Sequence, residues 1–324
     1  MTALRIGTRG SQLALYQANT TRALLERHAG AACEIVVIKT TGDRLSEAKL
    51  SAIGGKRLFV KEIEDALLDG SVDLAVHSSK DMPAVLPEGL EIGAVLARED
   101  ARDAIVLPAA SGSSLPSVEA VVAHLGSSPR IGTSSVRRTA QLTRLFPGAE
   151  FLPIRGNLDT RLRKVDSGEF DAIVLAAAGL RRLEHGARIS SLLPISACVP
   201  APGQGIIALE MRSNDDRVRS ALEHIDDRQA AAALVAERAV VKRLGGGCQM
   251  PIGAYAAPVN GSLALTGLVI SLDGARAVRA EAMGPTDAAE AIGATVADRL
   301  LAEGAGEILA EVERAHGAVE GIQP

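Results

Sequence analysis

The chain is 324 residues long, 47% hydrophobic and 23% charged, with a formal net charge of −4. That length allows two or three domains of about 100–200 residues, and the composition belongs to a globular chain. With 2% aromatic residues and no Trp, a stacking platform for single-stranded nucleic acid is excluded, and the acidic balance argues against a general nucleic-acid binder.

Met1 to Gly10 is interrupted by Arg5 and Arg9 and has no signal-peptide core. No apolar run approaches the roughly 18 residues of a membrane span. A cytoplasmic protein without membrane contact is expected. Leu4-Arg5-Ile6 reads as a strand, and Ser11 is suited to cap a helix running to about His28. Glu34 to Thr40 reads as a second strand. Thr41 to Lys56 is polar and holds Gly and Ser, so a mobile loop is expected. Phe59, Ile63, Ala66 and Leu67 share one helical face, and Val72 to His77 reads as a buried strand. The order β-α-β-α-β predicts a mostly parallel sheet with helices on both faces.

The pattern then repeats. Arg130-Ile131-Gly132-Thr133-Ser134-Ser135 echoes Arg5-Ile6-Gly7-Thr8-Arg9-Gly10-Ser11, and Gly168-Glu169-Phe170-Asp171 echoes Gly70-Ser71-Val72-Asp73. Two similar α/β lobes facing each other are a common way to form a ligand cleft. Val199-Pro200-Ala201-Pro202-Gly203 reads as a crossing segment and hinge. Beyond it, Asn260-Gly261 and Asp273-Gly274 are hairpin turns between strand-like segments near 252–257, 262–271 and 276–283. Helical patterns follow, so the last third is expected to be a small α+β domain with an antiparallel sheet.

Chemistry concentrates in three places. From Arg130 to Arg182 there are ten basic and five acidic residues. Arg137, Arg138, Arg155, Arg161 and Arg182 cluster at expected strand–helix junctions, where α/β folds bind ligands, and Arg forks match carboxylate and phosphate. Thr133, Ser134 and Ser135 precede a helix and add hydroxyls and N–H groups for an anion. For any one Arg a solvated surface residue is the better reading; for the set it is the weaker one, because they cluster at turns rather than along helix faces.

His77-Ser78-Ser79-Lys80-Asp81 follows a buried strand directly. Asp81 at that edge reads either as a proton donor that stabilises a cation or as a turn cap. His77 reads as a packed core residue. The cysteines Cys33, Cys198 and Cys248 form no CxxC pair and have no His cluster beside them, which excludes a zinc framework or disulfide scaffold. Cys33 and Cys198 read as small buried hydrophobes. Cys248 sits on Gly245-Gly246-Gly247-Cys248-Gln249 after a helix. Its dipole does not favour a thiolate there, so the thiol reads as an attachment point or an incidental surface group.

A set of motifs runs in order along almost the whole chain. They are Ile6-Gly7-Thr8-Arg9-Gly10-Ser11-Gln12-Leu13-Ala14, Gly55-Lys56 with Leu58-Phe59-Val60-Lys61-Glu62, His77-Ser78 with Lys80-Asp81 and Pro83, and Ile131 to Arg138. Arg155-Gly156-Asn157 with Thr160-Arg161, Ala178-Gly179-Leu180 with Arg182-Leu183, Pro202-Gly203-Gln204-Gly205, and Gly246-Gly247-Cys248-Gln249 with Pro251 continue the set. On these motifs the chain resembles the porphobilinogen deaminase (hydroxymethylbilane synthase) family.

The resemblance implies an α/β fold: two periplasmic-binding-protein-like lobes and a small α+β C-terminal domain with a three-stranded antiparallel sheet. Residues 1–102 and 198–220 would form the first lobe with the catalytic Asp. Residues 103–197 would form the Arg-rich second lobe, and 221–324 the domain of the attachment Cys. The implied enzyme is a monomeric cytoplasmic transferase of tetrapyrrole (porphyrin and heme) biosynthesis. It condenses four porphobilinogen molecules head to tail, releasing ammonia, into hydroxymethylbilane, and a transient hand-over to the next pathway enzyme belongs to the same expectation. Its dipyrromethane primer would be held by a thioether to Cys248. Asp81 is implied as the catalytic group that assists loss of the amino group and stabilises the positive azafulvene. Arg9, Ser11, Lys56, Phe59, Ser78, Lys80, Thr133, Ser134, Ser135, Arg137, Arg138, Arg155, Arg161, Arg182 and Gln204 map onto cofactor and substrate positions, with no metal. Lys56 and Phe59 would end a lid. Ser79 departs from the family's usual Met or Leu, and Ala52 replaces a lysine of some members. A non-catalytic binder of a small polyanion would need neither Cys248 nor Lys80-Asp81. A phosphate-dependent enzyme lacks its GxxxxGK[ST] or GxGxxG here.

Overall fold

The computed structural model describes residues 3–41, 60–112, 115–246 and 250–320, with side chains through residue 315. Ala52, Lys56, Phe59, most of the expected loop at 41–56, and Gly247-Cys248-Gln249 lie outside the described residues.

The chain opens with β1 (Leu4–Thr8), α1 (Gln12–His28), β2 (Cys33–Val37), α2 (Lys61–Leu68), β3 (Leu74–Ser78) and β4 (Leu90–Val95). It crosses into a second lobe of β5 (Asp103–Val106), α3 (Val118–Leu125), β6 (Arg130–Gly132), α4 (Val136–Leu142), β7 (Glu150–Leu152), α5 (Leu158–Asp166), β8 (Ala172–Ala176), α6 (Ala177–Arg182) and β9 (Ser191–Leu192). It returns through β10 (Ile207–Arg212) and α7 (Asp216–Leu222) to the first sheet.

The strand orders are β2-β1-β3-β10-β4 and β7-β6-β8-β5-β9, the same plan twice. Both sheets are mixed rather than mostly parallel. β10 runs antiparallel to β3 and β4, and β5 antiparallel to β8 and β9. Each is the strand by which the chain enters from the other lobe, so its direction follows from the crossing and not from a right-handed βαβ unit. The internal repeat is also physical. Asp73 accepts from the Arg5 N–H at 2.8 Å and guanidinium at 2.9 Å, and Asp171 does the same for Arg130 at 2.7 and 2.9 Å.

Local chemistry sets the helix starts. Ser11 caps α1 by accepting from Ala14 N, and Ser135 caps α4 by accepting from Arg138 N. The apolar face of α1 supplies Ala18 and Leu25 to a core with Leu4, Ile6, Leu74 and Met211. The second lobe closes around Ile131, Leu142, Val174 and Leu193.

The third unit starts with α8 (Arg228–Leu244), capped by Asp227 and ended by Gly245 in the left-handed region at φ 69°. Then come β11 (Ile252–Val259), β12 (Ser262–Ile270), β13 (Ala277–Pro285), α9 (Ala289–Ala302) and α10 (Ala305–Glu320). The strands form an antiparallel sheet in sequence order. Asn260 (φ 49°) and Gly261 (φ 79°) close the first hairpin as a primed turn. This unit packs on the first lobe through Ala230 and Leu234 against Met82, Val95 and Ile206. Its β12 residues Leu268 and Ile270 meet Ala140 of α4 and Val199 of the crossing segment.

Candidate active site between the lobes

β3 ends at Ser78 and turns at once into a 3-10 turn, Ser79–Asp81. Ser79 N donates to Ile206 O at 3.0 Å and Met82 N to Ser79 O at 3.1 Å, which closes the turn. Gln17 of α1, buried, donates from Nε2 to Ser78 Oγ at 2.9 Å. Asp81 is exposed at the C-terminal edge of the sheet, and its charge is felt by both Lys80 and Arg161 of the second lobe. A carboxylate of one lobe therefore faces a cation of the other across the cleft.

The second lobe brings Arg137, Arg138, Arg155 and Arg161 together, but in two different states. Arg137 and Arg138 are buried and grip Asp103, the first residue of β5, at 2.8 and 2.7 Å. Arg137 Nη1 also donates to Val199 O at 2.6 Å and Arg138 Nη1 to Val174 O at 3.1 Å. Gln204 Nε2 completes the group, donating to Asp103 at 2.8 Å and to Ala101 O at 2.6 Å. Burial pushes Asp103 up, but Arg137 and Arg138 override it and hold its carboxyl well below the usual carboxylate range. Cys198 lies inside the same cluster, 3.4 Å from Asp103, and burial pushes its thiol up to about 12.

The outer cations are not neutralised in this way. Among the described residues Lys80 and Arg155 make no hydrogen bond or ion pair within the protein, and Arg161 donates only to Gly156 O at 2.9 Å. Burial lowers Lys80, with Asp81 and Asp103 opposing and Arg138 and Arg137 adding, although part of its side chain stays at the surface. Burial, with Arg138 and Arg155 nearby, draws Arg161 down to about 10. Burial also lowers Arg182, which donates to Gly205 O at 2.7 Å. Enclosed cations that form no ion pair within the protein favour an anionic ligand, because its charge offsets their desolvation.

The hydroxyl groups hold the turn itself. Thr133 Oγ1 accepts from Ser135 N at 3.2 Å, Ser134 Oγ donates to Ile154 O at 2.7 Å, and Ser135 and Ser11 cap their helices. Arg9 is half-buried and has its own partner. Ser79 is buried, its Oγ has no hydrogen-bond partner among the described residues, and it packs against Gly203, where an added Cβ would lie 2.5 Å from that oxygen. Lys56, Phe59 and Cys248 lie outside the described residues.

Two carboxylates escaped the sequence reading. Asp103 is one; its signal is a lone acid opening the apolar run Asp103-Ala104-Ile105-Val106. The other is Glu237, on the apolar stripe of α8 with Ala233, Ala236 and Val240. It binds Arg98 at 2.6 Å and accepts from Gly203 N at 2.6 Å and Ala256 N at 2.7 Å, so it ties the third unit to both crossing segments.

Fold and site together define a two-lobed α/β protein with a cation-lined cleft beside the exposed Asp81. The model of the family described as "Porphobilinogen deaminase, dipyromethane cofactor binding domain" matches residues 4–220, and that of its C-terminal domain matches residues 231–302. A porphobilinogen deaminase of Syntrophobacter fumaroxidans is 48% identical over 313 residues, 96% of this chain and 98% of that protein. One from Moorella thermoacetica is 47% identical over 322 residues, 99% of this chain and 100% of that protein. In the solved structures, the second substrate binding domain of a putative amino acid ABC transporter from Streptococcus pneumoniae aligns at 12% identity and a TM-score of 0.43, covering 69% of this chain and 92% of that one. The chain belongs to the porphobilinogen deaminase family.

Proposed function

We propose that this chain condenses four porphobilinogen molecules head to tail, with release of ammonia, into hydroxymethylbilane, using the cleft between the lobes as its active site. The observation that carries this reading is the set of cleft cations that make no ion pair, Lys80, Arg155 and Arg161, with the exposed Asp81 near Lys80 and Arg161. Each pyrrole unit brings an acetate and a propionate, so the ligand supplies the missing anions.

The same cations, with the unpartnered Gln204 Oε1 nearby, fit a covalent dipyrromethane, and Cys248 is the residue we assign to hold it. When bound, that group supplies the pyrrole carbon at which the chain is extended. Lys80, Arg155, Arg161 and Arg182 bind and orient carboxylates; Arg137 and Arg138 form the charged floor, fixed by Asp103. Ser78, held by Gln17, and Ser11, Thr133, Ser134 and Ser135 shape the two strand edges, with Arg9, Lys56 and Phe59 assigned to the same pocket. The Asp81 carboxyl, placed by its turn, protonates the departing amine of porphobilinogen and as carboxylate stabilises the cation left behind. Unit boundaries at 102 and 197 belong to the same proposal, and the return of β10 to the first sheet supports them; the expected boundary at 220 falls inside α7, whose Leu222 packs in the first-lobe core, so the third unit begins after that helix.

Among the described residues no helix is long and apolar enough to cross a membrane. We assign the chain to the cytoplasm, as a monomer that hands its product to the next enzyme of the route. Two measurements test the reading. The purified chain given porphobilinogen releases ammonia and forms a linear tetrapyrrole. Its intact mass exceeds the sequence mass by two porphobilinogen units less their ammonia, and Cys248→Ala lacks that excess. No turnover, with no mass gained on adding porphobilinogen, leaves a polyanion binder instead.

A further inference from the structure

We propose that Arg238 of α8 is a positioning residue for Asp81, so that the third unit contributes to the reaction through its helix as well as through Cys248. The inference rests on the assignment of Asp81 above. Asp81 makes no side-chain hydrogen bond among the described residues, so the backbone of its turn alone sets where the carboxylate stands. Upstream, that backbone is fixed by the β3–β10 ladder and by Ser79 N to Ile206 O. Downstream, Met82 is buried against Ala230 and Leu234 of α8. One helical turn further on, Arg238 Nη2 donates to Pro83 O at 2.8 Å and to Ala84 O at 3.0 Å. Among the described residues no other side chain hydrogen-bonds the backbone of residues 79–88.

Both bonds are charge-assisted and come from one nitrogen, Nη2, which holds two successive carbonyl groups of the chain after the turn. The helix that carries them leads, four residues after Leu244, to Cys248. One rigid element thus ties the reacting carboxyl to the segment that bears the primer. Glu237, the neighbouring residue, clamps the same helix to Arg98 and Gly203. Misplacing a reacting group by about 1 Å lowers rate far more than affinity when the binding groups stay in place. Of the binding cations only Lys80 shares this turn, while Arg155, Arg161 and Arg182 sit on the second lobe, so the larger effect of Arg238 falls on kcat.

Arg238 is half-buried and lines an open cleft of about 400 Å³ between β4 and α8, so shortening it leaves space that water fills. The test compares holoenzyme with Arg238→Gln and Arg238→Lys by intact mass, melting temperature and steady-state kinetics with porphobilinogen. The expected result for Arg238→Gln is a kcat about 10- to 100-fold lower, with KM within about twofold and the primer mass retained. Lys keeps the charge and a single donor nitrogen with three N–H groups, and Arg238→Lys recovers most of the rate. An unchanged kcat in Arg238→Gln overturns the proposal, whatever its melting temperature. So does a fall in kcat matched by loss of primer mass. If Arg238→Gln does not fold, a folded Arg238→Lys at the full wild-type rate overturns it, and an intermediate rate with unchanged KM supports it. Wild-type protein without turnover removes the functional reading itself, a different result from any of these.

Discussion

In the first lobe β3 runs out into Ser78 and the turn bearing Lys80 and Asp81; in the second, β8 passes directly into α6, whose first residues, Ala177, Ala178 and Gly179, carry no acid. The opposite holds one strand over. After β1 the chain enters α1 through the Ser11 cap with Gln12 and Leu13, whereas after β6 it enters α4 through the Ser135 cap with Arg137 and Arg138. One backbone plan therefore places side chains at the same strand edges twice, and the residues there divide the labour. The first lobe presents the exposed Asp81 beside Lys80, and the second presents most of the cations, Arg155 and Arg161 together with Arg137 and Arg138. On the function proposed above, the reacting centre of an anionic ligand faces the first lobe.

The sharpest way to break this division is Asp81→Ala. Turnover is expected to fall about 10²- to 10⁴-fold, with the melting temperature unchanged because the side chain is exposed. Wild-type rates would end the assignment. Next is Asp103→Asn, which leaves Arg137 and Arg138 buried without their anion and is expected to cost roughly 3–5 kcal/mol by denaturant unfolding. Asp171→Asn, at the half-exposed landmark pair, is expected to cost about 1 kcal/mol or less. The folded carboxyl of Asp103 is lowered, so its stabilisation is present above the unfolded value of about 4 and disappears as pH falls below it. Acid unfolding of wild type should show that loss, and Asp103→Asn should lack it.

A third comparison separates binding from chemistry. Arg161→Gln is expected to lower kcat/KM about 10- to 100-fold through KM, leaving kcat nearly intact. A loss confined to kcat would move Arg161 into the chemical step. The smallest effect concerns the thiols. Burial pushes the Cys198 thiol up to about 12, which keeps it protonated and unreactive near neutral pH. Peptide mapping after alkylation should find Cys198 modified only after unfolding, while the half-buried Cys33 reacts slowly in the folded protein. Labelling of Cys198 in the native state would show that the second lobe opens around its charged floor.

What could be read without the structure is what short-range chemistry decides. Ser11 and Ser135 accept from N–H groups three residues on, Gly245 and Gly261 take backbone angles that other residues resist, and Asn260-Gly261 closes its hairpin. The repeat of Arg5 with Asp73 and Arg130 with Asp171 was visible as pattern, and so was Asp81 at a strand's edge. The pairing of Arg137 and Arg138 with Asp103 was not. It joins residues 34 and 35 positions apart, and nothing in either segment names the other. The same holds for Glu237, 139 positions from Arg98, and for Arg238, 155 from Pro83. The directions of β5 and β10 were hidden for the same reason, since they depend on how the chain crosses between the lobes. Caps and turns are closed by neighbours along the chain, so the residue types there determine them. Which cations keep their charge exposed for a ligand, and which are neutralised inside, was decided only when the crossings brought distant carboxylates beside them.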